Sequence, residues 1–348
     1  MDDAQPIHLF SYGTLRLPDM QMACFGRLVE GVADAMPGYR TVQIEITDED
    51  VLSASGERFH LRAEPSANPD DSVPGTVFRL NEADIWAADD YEGENYVRET
   101  VRLASGIDAW VYVKGEDQSD DDRWAALAAS EARGLALLDA IEAADIIRSG
   151  RTELEIERDI FAIAACDFGV TAHWHDRVVR AGVNTLCVAG QAAPDRTVEN
   201  NDVVFLDLGP VFGDWEADVG RSYAIGTDPE RQRLVADLPI VFDAVRARFD
   251  ANIDMTGAGL FAAAVEEAEA RGWRFGGKIA GHLVGRYPFA RSPAGKDGGR
   301  ANPANTQRMR DPDPKGHRRH WILEIHLVAP DGSFAGFYER LLPPTGQD

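Results

Sequence analysis

The chain has 348 residues, 44% of them hydrophobic, and its 59 acidic side chains outnumber 35 basic ones to give a formal net charge of −24. That length suits two domains with ordinary cores, and no run of about eighteen apolar residues offers a membrane span. The acidic excess argues against nucleic acid or anionic lipid as partners, since both need clustered Lys and Arg.

The N-terminus opens acidic and enters an apolar stretch too short for a secretory signal, so a cytoplasmic location is expected. Short strands rich in Val, Ile and aromatics are predicted at 7–12, 41–46, 75–80, 96–103 and 109–113, with a helix at 81–91. Residues 1–116 therefore read as a small, strand-rich α+β domain. The acidic stretch 115–122 has no apolar residue and no helix or strand period, which predicts a linker over 117–123. Residues 124–348 form the second domain. Helices are expected at 124–149 and 153–168, a hairpin at 202–225, helices at 229–249 and 257–271, and strands at 321–328 and 336–342. Cys24, Cys166 and Cys187 lack metal-type spacing and read as small buried residues in a reducing compartment.

In the second domain, polar residues interrupt apolar strands at chosen points. Asp207 ends the run Val203–Leu206, where an unpaired carboxylate costs several kcal/mol unless a partner or a metal compensates it. Asp218 falls on the returning strand, nearly opposite Asp207 if the segment is a hairpin. Two carboxylates so close repel, and a shared cation resolves the repulsion. Glu324 and Glu339 are acids in later apolar strands, and His282 sits between glycines that allow close backbone approach. Four carboxylates and one imidazole suit two divalent ions, with Mn, Co, Fe or Zn as the candidates.

This order of Asp207 and Asp218, then Gly281-His282, then Glu324 and Glu339, resembles the methionine aminopeptidase and Xaa-Pro aminopeptidase family, the pita-bread metallopeptidases (M24). The resemblance implies a creatinase/aminopeptidase-like fold over roughly 124–343. It also implies a metal-activated hydroxide that attacks a peptide carbonyl, with Glu324 as both ligand and proton shuttle. Two positions depart from the family pattern. Phe289 stands where a second, substrate-contacting histidine is usual, and Val188-Ala189-Gly190 stand where an upstream histidine is usual. His175, His320 and His326 are candidates to take over those roles, His175 and His320 as substrate-binding residues. His173 and His175 around Trp174 also admit a plainer reading as a partly buried surface pair.

In the first domain, the Gly13 of Tyr12-Gly13-Thr14-Leu15 directly follows a predicted strand, a setting in which backbone N–H groups can converge on an anion. Together with Val73–Leu80, the helix and the segment around Glu92-Gly93, it resembles the γ-glutamylcyclotransferase-like (AIG2-like) family over about 7–113. That resemblance implies that Tyr12, Gly13, Thr14 and Leu15 bind a substrate α-carboxylate. Glu92, desolvated beside Tyr91 and Tyr96, would act as general base to release 5-oxoproline.

The expected protein is thus a dinuclear metallopeptidase of aminopeptidase or Xaa-Pro type fused to a γ-glutamylcyclotransferase-like domain. Its substrates would be small peptides or γ-glutamyl amino-acid conjugates, and the oligomeric state stays open. The alternative is a peptide- or amino-acid-binding module that keeps the metal site, with cyclotransferase activity confined to the N-terminal domain.

Overall fold

Strand-forming residues near the N-terminus set up β1 (Ile7–Ser11), whose neighbouring side chains Leu9 and Phe10, on opposite faces of the sheet, are both fully buried. The computed structural model describes residues 7–45, 59–92, 96–114, 118–187, 191–287, 299–313 and 316–344. Its contacts divide the chain into two units, Met1–Asp117 and Gln118–Asp348.

In the first unit a short 3-10 turn at Thr14–Arg16 leads from β1 to α1 (Pro18–Phe25). There follow β2 (Gly31–Pro37), β3 (Tyr39–Glu45), β4 (Phe59–Pro65), β5 (Ser72–Leu80), α2 (Glu82–Glu92), β6 (Tyr96–Arg102) and β7 (Asp108–Lys114). The main sheet runs β2-β5-β1-β7-β6, and β3 pairs with β4 separately. β1 lies parallel to β7 and antiparallel to β5, so the turn after β1 opens at one end of the central strand. α1, β2 and β4 are additions to the expected elements. Their sequences carry Asp, Ala, Pro or charged residues that depress strand or helix signals; pairing to β5 and β3 supplies the missing stability for β2 and β4, and α1 packs against α2.

The second unit begins with α3 (Asp120–Ala143), which starts inside the stretch expected to be linker. The physical reason is local. Ser119 accepts a hydrogen bond from the Asp122 backbone N–H, and Asp120, Asp121 and Asp122 sit in the first turn, where negative charge is attracted to the positive end of the helix dipole. The helix stops at Ala143 rather than 149, because Asp145 adopts a positive φ of 51°. Next come α4 (Glu153–Phe168), β8 (Val178–Ala181), β9 (Val203–Leu208), β10 (Val211–Phe212), β11 (Trp215–Glu216) and β12 (Val219–Ala224). Then follow α5 (Pro229–Ala251), α6 (Gly257–Ala270), β13 (Arg274–Phe275), β14 (Gly281–Val284), β15 (His320–Val328) and β16 (Ala335–Leu342). A helix pair followed by strands thus occurs twice. Among the described residues no helix is long and apolar enough to cross a membrane.

The large sheet runs β13-β15-β16-β12-β9-β8, with β14 also on β15. Its register decides where the polar residues go. Asp207 pairs with both Val178 and Gly220, Gly220 pairs with Glu339, and Glu339 pairs with Glu324. Direct partners share a face of a pleated sheet, so Asp207, Glu339 and Glu324 form one row across it. Their strand neighbours Leu206, Leu208, Leu323 and Ile325 point the other way. There they pack under the helices, with Leu137, Ile141 and Ile156 on one side and Leu238, Val241 and Leu260 on the other.

Two glycines keep the row tight. A Cβ on Gly220 would come within 2.7 Å of the Phe337 ring and 3.0 Å of the Glu339 Cβ. Gly281 has φ +146°, and a Cβ there would collide with the Ile322 carbonyl oxygen, so only glycine lets β14 lie against β15 at this point. Gly281→Ala should therefore lower the unfolding free energy of the second unit by roughly 2 kcal/mol or more. A urea titration checks this, and an unchanged midpoint would contradict the close-approach argument.

Candidate metal centre

Asp218 precedes β12 by one residue. Because Gly220 pairs with Asp207, Asp218 lies one pleat along on the same face, diagonal to Asp207 rather than opposite it as the hairpin reading expected. His282 bears the same relation to Glu324, since its partner on β15 is Ile322. The side chains of Asp218 and Glu339 are buried, and those of Asp207, His282 and Glu324 are half-buried.

Asp218 is the hub. Its Oδ1 lies 3.2 Å from His175 Nε2, and its Oδ2 lies 3.0 Å from His282 Nε2. His175 Nε2 is also 3.4 Å from Asp207 Oδ1, and His282 Nε2 is 3.7 Å from Glu339 Oε1. Two groups of donor atoms result, one from His175, Asp207 and Asp218 and one from Asp218, His282 and Glu339, each with its atoms within 4.8 Å of one another. Glu324 belongs to neither group. It stands in the row opposite Glu339, close enough to feel His282, Asp207 and Asp218 electrostatically.

Both imidazoles are held the same way. His175 Nδ1–H donates to the Asp176 carbonyl at 2.7 Å, and His282 Nδ1–H donates to the Leu283 carbonyl at 2.8 Å. A carbonyl only accepts, so each Nδ1 carries the proton and each Nε2 faces the carboxylates. Between the two rings stands Trp174, 4.4 Å from His175 and 5.2 Å from His282 by centroid, with its indole N–H on the Ala217 carbonyl.

The electrostatics follow from crowding. Burial lifts Asp207 to about 6 and Glu324 to about 8, with neighbouring carboxylates adding to the rise and imidazoles resisting it. Glu339 is raised well above the usual range by burial and by Asp218. For Asp218 burial pushes upward, but the imidazoles of His175 and His282 outweigh it and hold the group below its ordinary value. Burial opposes charging of both histidines, yet their carboxylate partners win, taking His175 to about 9 and His282 well above its usual range.

This donor set fits divalent metal. Two donors about 2.1 Å from one ion, at coordination angles of about 90–109°, lie about 3.0–3.4 Å apart, close to the spacings here. Glu339 Oε2 is buried without a hydrogen-bond partner among the described residues, a cost that coordination removes.

A family model described as metallopeptidase family M24 matches residues 126–310. The chain belongs to this family. The match contains Asp207, Asp218 and His282 and ends before Glu324 and Glu339, which the sheet register brings into one row with Asp207. Among solved structures, the chain resembles a prolidase from Thermococcus sibiricus at 16% identity and TM-score 0.50, covering 66% of this chain and 61% of that one. It resembles an X-Pro aminopeptidase from Thermotoga maritima at 19% identity and TM-score 0.50, covering 69% and 68%. It also resembles an Xaa-Pro dipeptidase from Bacillus anthracis at 16% identity and TM-score 0.50, covering 76% and 71%. These likenesses establish the pita-bread fold. This chain spans less than two thirds of the Thermococcus prolidase. No curated protein matches significantly. A second model, gamma-glutamyl cyclotransferase, AIG2-like, matches residues 9–130, giving the N-terminal domain its fold.

The other histidines separate. His320 is buried, stacks on Trp124 at 5.9 Å and is held at about 4 by burial and by Arg123 and Arg318. His326 is buried, with Nε2 2.9 Å from the Thr185 carbonyl oxygen and its ring against Phe205 and Phe337. His173 packs toward Phe161, and burial and Arg177 hold it at about 4. Phe289 and Val188-Ala189-Gly190 lie outside the described residues. Trp174, Gly209 and the approach of His175 to the acids were missed in the sequence. Pairing of β8 with β9 in the register Val178↔Asp207 was the signal that locates them.

In the first unit the Tyr12 side chain is buried. Its hydroxyl donates to the Tyr112 carbonyl at 3.0 Å and accepts from the Ala63 N–H at 3.2 Å. Leu15 is buried as well, whereas Gly13 borders open space and Thr14 Oγ1 lies 2.7 Å from the Tyr91 hydroxyl. Glu92 ends α2 close to Tyr12, Tyr91 and Tyr96; burial raises the pKa of each phenol most, and the Glu92 charge adds to the rise.

The pKa directions fix a pH dependence for the metal-free protein. Folded Glu324 keeps its proton up to about 8, whereas an unfolded glutamate releases it near 4.5. Folded His175 keeps its proton to about 9 against 6.5 unfolded. Both groups bind more protons folded than unfolded, so stability falls as pH rises from about 5 to about 9. The depressed Asp218 acts only in acid. Thermal unfolding after chelation should show this fall. Added Mn or Co should raise the midpoint more at pH about 8 than at pH about 6, because fewer protons remain to be displaced.

Proposed function

We propose that the second unit is a divalent-metal-dependent peptidase of aminopeptidase or Xaa-Pro type, with Asp207, Asp218, His282, Glu324 and Glu339 as ligands of two ions. The observation that carries this reading is Asp218, a buried carboxylate with an imidazole nitrogen facing each oxygen, set in a row of acids within an M24 chain. Mn, Co, Fe or Zn would suit these donors, and bound metal supplies Lewis acidity and an activated water.

The chain's own residues do the rest. Glu324, in the row of acids opposite Glu339, would pass a proton toward the departing amine. Trp174 and the two backbone carbonyls hold both imidazoles in one orientation, so the donors need little rearrangement.

A panel of dipeptides, Xaa-Pro dipeptides and longer peptides, assayed with added Mn or Co, tests the reading. Asp218→Ala should cut kcat/KM by roughly a thousandfold, about 4 kcal/mol in barrier. Metal-loaded protein that cleaves none of the panel would instead be a peptide-binding module, the reading that Phe289 motivates.

For the first unit we propose γ-glutamyl cyclotransfer. The loop Tyr12–Leu15 would receive the substrate carboxylate through Gly13 and Thr14, since Tyr12 and Leu15 turn their side chains into the core. Glu92 would take a proton from the γ-glutamyl amino group, whose nitrogen closes on its own side-chain carbonyl to release 5-oxoproline and an amine. Glu92→Gln should slow 5-oxoproline release by roughly 100-fold or more, and undiminished turnover removes Glu92 from that role.

A further inference from the structure

We infer that His175 is itself a metal ligand, so that each of the two ion positions carries one histidine and Asp218 is the carboxylate they share. This rests on the reading that the centre binds metal, and it moves His175 from the substrate side of the site to the ion.

Position decides first. His175 Nε2 is 3.4 Å from Asp207 Oδ1 and 3.2 Å from Asp218 Oδ1, so one nitrogen faces two acids at once. A single N–H points in one direction and serves one acceptor well. A cation between the three atoms satisfies all of them. His282 repeats the arrangement on the other oxygen of Asp218, at 3.0 Å, and on Glu339, at 3.7 Å.

Orientation agrees. A ligating histidine characteristically gives its second ring N–H to a carbonyl or carboxylate, which fixes the tautomer and aims the other nitrogen. His175 does this with the Asp176 carbonyl at 2.7 Å, as His282 does with Leu283 at 2.8 Å. The backbone also makes room for the ring. A Cβ on Gly209 would run into the His175 imidazole and would stand 2.6 Å from the Trp174 indole nitrogen. A side chain at 209 and an imidazole in this place exclude each other.

The consequence is chemical. Without His175 the first position offers oxygen donors alone, a set that hard ions share. With it both positions are mixed nitrogen and oxygen, which shifts preference toward Co and Zn and away from Mg.

Cobalt(II) supplies a test independent of catalysis. Chelated full-length protein is titrated with Co(II), following the visible d–d bands and the binding heat. The wild type should take up two ions. His175→Ala should keep one and bind the other roughly 10-fold or more weakly, with a changed visible spectrum, and the isosteric His175→Gln should do the same. On the wild type alone, proton NMR of the cobalt-loaded protein should show two solvent-exchangeable, strongly shifted Nδ1–H signals, one for each ligating imidazole. This readout holds whether or not a variant folds. A single such signal, or unchanged uptake and spectrum in both variants, overturns the role of His175 while leaving the metal centre intact. No cobalt uptake by the wild type would instead defeat the underlying metal reading. A raised KM in His175→Ala with unchanged metal binding would return His175 to the substrate side.

Discussion

The second unit is organised around one buried carboxylate that cannot stand alone. Asp218 lies among Asp207, Glu324 and Glu339, and each further negative charge in that space makes the next harder to ionise. What holds Asp218 in its charged form is the pair of imidazoles on its two oxygens. Remove that compensation and the row becomes a set of protonated acids, with no reason to keep their donor atoms turned inward. The tight glycines, the wedge of Trp174 and the backbone bonds to both Nδ1 atoms serve one end: they hold countercharge within reach of Asp218.

Much of this was visible in the sequence because a strand has a period of two. Glu324 between Leu323 and Ile325, or Asp207 between Leu206 and Leu208, can only be an acid facing away from an apolar layer. The chain order of the acids and His282 then pointed to M24. What escaped was set by register and by short elements. Asp207 and Asp218 are diagonal because β12 pairs through Gly220, which no count of intervening residues reveals. His175 stands outside a four-residue strand too short to announce itself, and its partner is fixed only once β8 pairs with β9. The acids before Arg123 read as solvated linker, because composition does not distinguish a capped helix start from a loop.

The first unit follows a different rule. Its motif residues divide their labour between inside and outside: Tyr12 and Leu15 spend their side chains on the core, and that anchorage leaves the Gly13 backbone and Thr14 to face outward. A motif read along the chain treats the four positions alike, whereas the fold buries two side chains and leaves two positions nearer the surface. The acids of α2 divide similarly. Asp84 is tied to Arg27 and Asp89 to Arg98 and Tyr112, while Glu92 faces the tyrosines.

The place of β16 has a consequence for how the centre comes into being. It follows every other strand of its sheet in sequence, yet it sits between β12 and β15, joining the half that bears Asp207 and Asp218 to the half that bears His282 and Glu324. Until it inserts, the two halves have no shared ladder, and Glu339 is absent from both. Its pairing with β15 is a local hairpin, whereas its contact with β12 joins sequence-distant segments, the kind of pairing that forms slowly. The row is therefore complete only once the β15–β16 hairpin meets β12, and before that contact the edges of β12 and β16 stand unpaired toward each other.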